Sequence, residues 1–245
     1  AGFSGGKLSG RKLPVPDGET ASVAVVLANT GGSGAQALSL VLVDLNQDTV
    51  TRSAVETIDP TRGHAEINFD NAEASLLGQE GEGWDMLKRV EAGAAVLMAF
   101  EQVGGTEAAL NMAKEYALDR YAFGRQIGSY QAVKHRLADM YVKLELARSN
   151  AYYGAMILSE DSAELELAAA SARISATEAY RFAAQECIQV HGGIGYSRHM
   201  PFEHIYRHHR RYRITEGSEE IQIRKVAAHL FGFIDPTRKS KNQKA

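Results

Sequence analysis

The chain has 245 residues, of which 44% are hydrophobic and 23% charged, a composition typical of a globular protein with a sizeable core. Its net charge of −3 gives no global field that would recruit a polyanion, and no apolar stretch is long enough to span a bilayer. The single cysteine, Cys187, excludes an intramolecular disulfide and suits a reducing compartment, which predicts a cytoplasmic protein.

The first third of the sequence, residues 1–82, has the pattern of a β domain. Two apolar runs and two segments of alternating polarity predict strands at residues 21–29, 38–45, 49–58 and 65–72. Asp59-Pro60 marks a turn between the last two of these segments. Because the chain opens in what resembles the middle of a strand or loop, we expect a partial antiparallel sheet or barrel and a longer parent protein.

From Trp84 onward the pattern is helical and predicts a second domain at residues 83–234. Apolar residues at helical spacing predict helices at residues 84–120, 129–158, 162–190, 200–213 and 218–233. Ser218 is a candidate N-cap, and the tail at residues 235–245 has few apolar residues and is expected to be disordered. The predicted fold class is therefore α+β, a partial antiparallel β-barrel or sheet followed by an antiparallel four-helix bundle.

A polar loop at residues 119–131, DRYAFGRQIGSYQ, joins the first two helices and carries Arg120, Phe123 and Arg125. The pattern alone favours an ordinary connection with a solvated arginine. The alternative is an anion site, because a guanidinium forks onto phosphate oxygens beside an aromatic ring that can cover a flat ligand.

A glycine cluster at residues 189–201, QVHGGIGYSRHMP, follows the third helix. Gly192, Gly193 and Gly195 permit close approach of another molecule to the backbone. No strand precedes the cluster, so it is not a dinucleotide fingerprint of the Rossmann kind. The simpler interpretation is a helix C-cap followed by a turn.

The basic run at residues 207–213 suggests metal or nucleic-acid binding at first sight. His208 and His209 are adjacent, so they point about 100° apart on a helix and cannot share one ion. A single helical patch in a net acidic protein is a weak nucleic-acid signal. The default interpretation is a helix with solvated or intersubunit salt bridges.

Glu216 stands apart from the acids that follow it. Glu219 and Glu220 fall in the first turn of the last helix, where the helix dipole favours acidic residues. Glu216 precedes that helix and is flanked by Ile214 and Gly217, and an acid held against apolar surroundings can serve as a base. One carboxylate in a loop does not by itself identify an activity.

Four segments occur in the order and spacing of one known family. They are LLGQEGEGWDMLKRV, ALDRYAFGRQIGSYQAVKHRLADM, QVHGGIGYSRHMPFEHIYR and TEGSEEIQ. By these motifs nearly the whole chain resembles the acyl-CoA dehydrogenases, flavoproteins that oxidise an acyl-CoA to a 2,3-enoyl-CoA. The resemblance implies a middle β domain followed by a C-terminal helical bundle, as the periodicity also predicts.

The resemblance also implies roles for individual residues. Glu216 would be the base that removes the α-proton, while the β-hydrogen would leave as hydride to FAD. Thr215 and Gly217 would lie beside the substrate, and no metal ion would take part. The residues expected to bind FAD are Arg120, Phe123, Gln131, Gln189, Gly192, Gly193 and Ser218.

The family further implies partners and a context. The expected partners are an acyl-CoA substrate, electron-transferring flavoprotein and further subunits of a tetramer built as a dimer of dimers, in β-oxidation of a fatty acid or steroid side chain. The family's N-terminal helical domain and the first part of its barrel have no counterpart here. The chain thus resembles the C-terminal two-thirds of a subunit, and we expect it alone to bind FAD weakly or not at all and to be inactive.

Three departures from the family pattern qualify these expectations. Thr215 replaces an aromatic residue and His208 replaces an acid. Residues 91–96, EAGAAV, contain no arginine, although the family commonly has an arginine or acid directed toward CoA there. They favour an unusual acyl group, such as a bulky ring-bearing one. They also leave open a second hypothesis, a non-catalytic subunit of a hetero-tetramer that completes a partner's flavin site through Arg120 and Gln189; the presence of Glu216 argues against it.

Overall fold

The computed structural model describes residues 1–232, so the predicted tail at 235–245 and the end of the predicted helical domain lie outside the described residues. The chain divides into two compact units, residues 1–91 and the part from residue 92 onward. The first is a β-sheet and the second is helical, which confirms the predicted α+β fold class.

The first unit is a six-stranded sheet in which the first strand of the spatial order also pairs with a strand near the other end. Its strands are β1 (Gly2–Ser4), β2 (Lys7–Pro16), β3 (Val23–Asn29), β4 (Leu38–Asp44), β5 (Val50–Ala54) and β6 (His64–Leu77). The order is β2-β1-β3-β4-β6-β5, and β6 also pairs with β2. All pairings are antiparallel except the contact of β1 with β3. The long strand β6 therefore joins the two ends of the sheet.

The core of this sheet comes from the alternating pattern that predicted its strands. Side chains on one face are at most 5% exposed, as is expected for period-two segments with one buried side: Leu8, Val26, Val41, Val43, Leu45, Ile67 and Phe69. The four predicted strands are confirmed as β3 to β6. The opening of the chain, which was predicted only to resemble the middle of a strand or loop, contains β1 and β2.

The helical unit continues from a helix that begins before residue 92. Its helices are α1 (Gly83–Asp119), α2 (Gln131–Ser159), α3 (Leu165–His191), α4 (Phe202–Tyr212) and α5 (Glu219–Phe231). A short hairpin of β7 (Tyr121–Ala122) and β8 (Arg125–Gln126) follows α1. Among the helices of residues 1–232, none is long and apolar enough to cross a membrane.

Helix α3 is the central packing element, because its alanines let neighbouring helices approach closely. It packs against α2, α4 and α5. Its small residues are at most 2% exposed and form a continuous core-facing surface: Ala168, Ala169, Ala170, Ala172, Ala176, Ala179, Ala183 and Ala184. Facing residues of α1 and α2, such as Val103 and Leu144, share one core cluster with four of these alanines: Ala172, Ala176, Ala179 and Ala183.

Gly105 on α1 marks a point of especially close helix packing. A Cβ atom at Gly105 would lie 2.5 Å from Cζ of Tyr180, whose ring is buried at 2% exposure. We expect Gly105→Ala to destabilise the protein by up to about 2 kcal/mol, because overpacking costs about 1–3 kcal/mol and improved helix propensity returns about 1 kcal/mol. Denaturant unfolding measures this change.

The neighbouring glycine provides the control. A Cβ atom at Gly104 would meet no atom within 4 Å, so Gly104→Ala changes only helix propensity. We expect this variant to be more stable than the wild type by up to about 1 kcal/mol. Equal effects of the two substitutions would show that the Tyr180 contact does not limit packing at Gly105.

Candidate functional site

The loop between α1 and α2 is a tight hairpin that presents Phe123 to solvent. Phe123 (φ 53°) and Gly124 (φ 81°) join β7 to β8, and two successive left-handed residues suit a type I′ turn. Phe123 is 97% exposed and, as a bulky left-handed residue, is strained. The Tyr130 hydroxyl donates to the Ala122 carbonyl oxygen at 2.9 Å and fixes the hairpin. A large aromatic ring held in water at a strained position suits a surface that another molecule covers.

A cleft of about 430 Å³ lies between this loop and the end of α3. Its lining comes from both segments: Tyr116, Arg120, Ile127, Val190, His191, Gly192, Gly193 and Ile194. Three predicted cofactor residues, Arg120, Gly192 and Gly193, therefore share one cavity. A Cβ atom at either glycine would meet nothing within 4 Å, so the backbone there is open to a ligand.

The cleft also has an aromatic side that the sequence pattern did not reveal. The His191 ring stacks on Tyr116 with centroids 4.3 Å apart and lies 4.0 Å from the Phe202 ring. His191 Nδ1 lies 2.7 Å from the Cys187 carbonyl oxygen, so Nδ1–H is the donor and Nε2 an acceptor. Burial lowers the pKa of His191, which keeps this imidazole neutral near pH 7.

The other predicted cofactor residues do not line this cleft. Phe123 lies at the tip of the hairpin, and Gln131 is the exposed first residue of α2. Gln189 is exposed in the last turn of α3, two residues before the lining residue His191. Ser218 is the N-cap residue of α5, as predicted, but its side chain makes no capping hydrogen bond.

Glu216 lies in the turn that reverses the chain between α4 and α5. Glu216 has φ 58° and Gly217 has φ 83°, so two successive left-handed residues form the turn. The backbone N–H and the hydroxyl of Thr215 both donate to the Arg211 carbonyl oxygen, at 2.9 and 3.2 Å, and so end α4. Within residues 1–232 neither the backbone N–H nor the Oε2 atom of Glu216 has a hydrogen-bond partner.

The surroundings of Glu216 are charged, and the expectation of apolar surroundings was wrong. Arg211 Nη2 donates to Glu216 Oε1 at 2.7 Å, and the two side chains are 4% and 23% exposed. Arg213, two residues later, instead forms a 2.7 Å ion pair with Glu219. The interpretation of the basic run as a solvated helix is therefore wrong for Arg211, which α4 turns inward.

A second buried arginine lies close to the same turn. Arg173, 1% exposed, donates from Nη1 to Gln102 Oε1 at 2.7 Å and to Thr177 Oγ1 at 3.1 Å, and from Nη2 to the Tyr212 carbonyl oxygen at 2.9 Å. Burial lowers the pKa of Arg173 to about 10, against the opposing effect of the Glu216 charge. Arg173 therefore remains a cation near pH 7.

Both buried arginines lie close to the ring of Tyr212. The guanidinium carbons of Arg173 and Arg211 lie 4.9 and 5.0 Å from its centroid, within the range of cation–π contacts. Two buried cations thus flank one aromatic ring and one carboxylate, that of Glu216.

The two histidines of the basic run have separate neighbours. His208 Nδ1 lies 3.2 Å from the Tyr180 hydroxyl, whereas His209 packs edge-on against Tyr206 with centroids 4.7 Å apart. Among residues 1–232, no group of three His, Cys, Asp or Glu side chains is arranged to hold a metal ion. Their roles here are packing and hydrogen bonding within the bundle.

Comparison with known proteins identifies related chains. The family model described as "Acyl-CoA dehydrogenase, C-terminal domain" matches residues 81–231. An acyl-CoA dehydrogenase of Bacillus subtilis is 32% identical over 231 residues, which are 92% of this chain and 61% of the relative. The acyl-CoA dehydrogenase IpdE2 of Mycobacterium tuberculosis is 38% identical over 178 residues, 72% of this chain and 51% of the relative.

The fold agrees with that of solved structures. Butyryl-CoA dehydrogenase from Megasphaera elsdenii superposes with a TM-score of 0.88 at 26% identity, over 91% of this chain and 60% of that one. The chain spans about half to three-fifths of the lengths of these relatives.

Proposed function

The chain belongs to the acyl-CoA dehydrogenase family, and from this premise we propose that the natural full-length protein containing it oxidises an acyl-CoA to a 2,3-enoyl-CoA, with Glu216 as the base. The substrate is a thioester whose α-carbon loses a proton and whose β-carbon loses a hydride. Members of this family are FAD-dependent flavoproteins.

The observation that carries the proposal is the free surface of Glu216. Its Oε2 atom and its backbone N–H have no partner within the described residues, while Oε1 is fixed by Arg211. A carboxylate with one free oxygen can accept the α-proton. A free N–H on the same residue can donate to the thioester oxygen, where negative charge develops as the proton leaves. One strained turn thus supplies both functions.

The described residues also fit a flavin dinucleotide. Arg120 and the open backbone at Gly192 and Gly193 line a cleft within the usual range of ligand-site volumes, about 300–1,000 Å³. Arg120 has no ion pair among residues 1–232 and is available to an anionic group such as a phosphate. Gln131, Gln189 and Ser218 are predicted to complete the site with Phe123. When bound, FAD supplies the hydride acceptor.

The proposal extends to partners and location. Electron-transferring flavoprotein would accept the electrons, and the exposed Phe123 suits a surface covered by another subunit of a tetramer, arranged as a dimer of dimers. The expected location is the cytoplasm. The missing arginine in residues 91–96 favours a ring-bearing acyl group.

Anaerobic mixing of the natural full-length protein with acyl-CoAs tests this function. We expect the flavin absorbance band to bleach and a product two mass units lighter than the substrate to accumulate, with ring-bearing acyl groups reacting faster than straight chains. If no acyl-CoA of either class bleaches the flavin or yields an enoyl-CoA, the proposed dehydrogenation is wrong.

The second candidate is a subunit that completes a partner's flavin site without removing a proton. The exposed Phe123 and the unpaired Arg120 favour it, because both suit contact with a molecule held elsewhere. Copurification with a second, related chain, with activity that survives Glu216→Gln in this one, would select this candidate over the first.

A further inference from the structure

Arg211 is a buried cation with one carboxylate partner. Its side chain is 4% exposed, and Nη2 donates to Glu216 Oε1 at 2.7 Å. The Nε and Nη1 atoms are buried and have no hydrogen-bond partner among residues 1–232. Burying a guanidinium with two unused donors is unfavourable, so packing alone does not explain this residue.

The local backbone brings Arg211 and Glu216 together. Thr215 donates twice to the Arg211 carbonyl oxygen, and the left-handed residues Glu216 and Gly217 then fold the chain back. The Tyr212 ring lies 5.0 Å from the Arg211 guanidinium carbon and limits its movement. The carboxylate of Glu216 therefore contacts the guanidinium of Arg211 over a sequence separation of five residues.

We propose that Arg211 is the positioning residue of the Glu216 base. Its Nη2–H holds Oε1, which fixes the side-chain rotamer and leaves Oε2 as the single free oxygen to accept the substrate's proton. A carboxylate that rotates freely would present either oxygen in many orientations and would react more slowly. The inference rests on the proposed function, because it assigns Arg211 a role in the same reaction.

The neighbouring charges do not substitute for Arg211. Arg173 acts on Glu216 only through its charge, since its described hydrogen bonds go to Gln102, Thr177 and the Tyr212 carbonyl oxygen. Glu101 and Tyr212 also act electrostatically on Arg173. Arg211 is thus the described group that holds the carboxylate of Glu216 by a hydrogen bond.

The chain contains a matched control for this role. Arg213 also precedes the turn and pairs with Glu219 at the same 2.7 Å, but no described hydrogen bond or ion pair joins it to Glu216. In the natural full-length protein we expect Arg211→Met to lower kcat by about 10- to 100-fold with KM little changed. Arg211→Lys should restore part of kcat, and Arg213→Met should leave kcat and KM near the wild-type values.

A double-mutant cycle with Arg211→Met and Glu216→Gln, read by denaturant unfolding of the same protein, provides a measurement independent of turnover. Measurable coupling free energy between the two positions supports the pairing of Arg211 with Glu216. A coupling free energy of zero overturns it. If Arg211→Met does not fold, Arg211→Lys takes its place in both experiments; a lysine variant with wild-type kcat and no coupling to Glu216 overturns the inference.

The outcomes separate this inference from the proposed function. Turnover that survives Glu216→Gln contradicts the function itself. If Glu216→Gln loses turnover but Arg211→Met and Arg213→Met have equal kcat, the proposed function stands. In that case the positioning role of Arg211 is overturned. Lower kcat only in the Arg211 variants, with partial recovery by lysine, supports it.

Discussion

Glu216→Gln in the natural full-length protein is expected to lower the rate of enoyl-CoA formation by about 10²- to 10⁴-fold, the contribution of a positioned general base. Glutamine has nearly the same shape and can still accept the hydrogen bond from Arg211, but its amide does not accept a proton at neutral pH. The turn and the backbone N–H of Glu216 should be preserved. The loss therefore belongs to proton transfer.

Two further observations make this result specific. Flavin absorbance should be unchanged in Glu216→Gln, because the cleft lined by Arg120, Gly192 and Gly193 does not include Glu216. Glu219→Gln, which breaks the ion pair with Arg213 in the first turn of α5, should leave turnover near the wild-type rate. A similar loss in both variants would assign the effect to charge in this region and not to the base.

His209 is expected to make stability depend on pH. It is 3% exposed, and burial, with the charges of Arg210, Arg181 and Arg213 acting in the same direction, lowers its pKa from 6.5 to about 4. Between these values the unfolded chain binds more protons than the folded one, so stability is fully present above pH 6.5 and falls as the pH is lowered toward 4. The contribution lost is about 3 kcal/mol.

Denaturant unfolding of wild type and His209→Phe between pH 7 and pH 4 measures this contribution. The difference in unfolding free energy between the two proteins should shift in favour of the phenylalanine variant by about 3 kcal/mol as the pH falls. His204→Gln, an exposed position on the same helix, should follow the wild type throughout. A difference that stays constant with pH would show that His209 is not buried as a neutral imidazole.

The regular elements could be predicted from the sequence because their periodicities are strong. Strands β3 to β6 alternate or are continuously apolar, and α2 and α3 begin and end within about three residues of the predicted bounds. Local patterns of this kind depend only on residues near one another in the chain.

The electrostatic part of the site could not be predicted in this way. Arg211 and Arg213 are two residues apart in one basic run, yet α4 buries the first and leaves the second partly exposed. The direction in which each side chain points depends on the helix that packs against α4. Opposite charges at Arg211 and Glu216, five positions apart in the sequence, were the available signal, but sequence spacing alone does not fix a contact.

The shape of the cofactor loop was also beyond sequence patterns. The sequence predicted a polar loop at residues 119–131, whereas the left-handed φ of Phe123 follows from the hairpin that Tyr130 closes. Arg173 appeared as an isolated cation among alanines, and its burial depends on partners from α1 and α4 that are distant in sequence. Contacts of this kind become visible only when the helices are assembled.

The most direct test of Glu216 is exchange of the substrate's α-hydrogen with solvent. The natural full-length protein with bound FAD is incubated in D₂O with an acyl-CoA, and deuterium at the α-carbon is followed by mass spectrometry in the wild type and in Glu216→Gln. If Glu216 removes this proton, the wild type should incorporate deuterium and Glu216→Gln should show only the uncatalysed rate. Exchange at the wild-type rate in Glu216→Gln would contradict the assignment of the base.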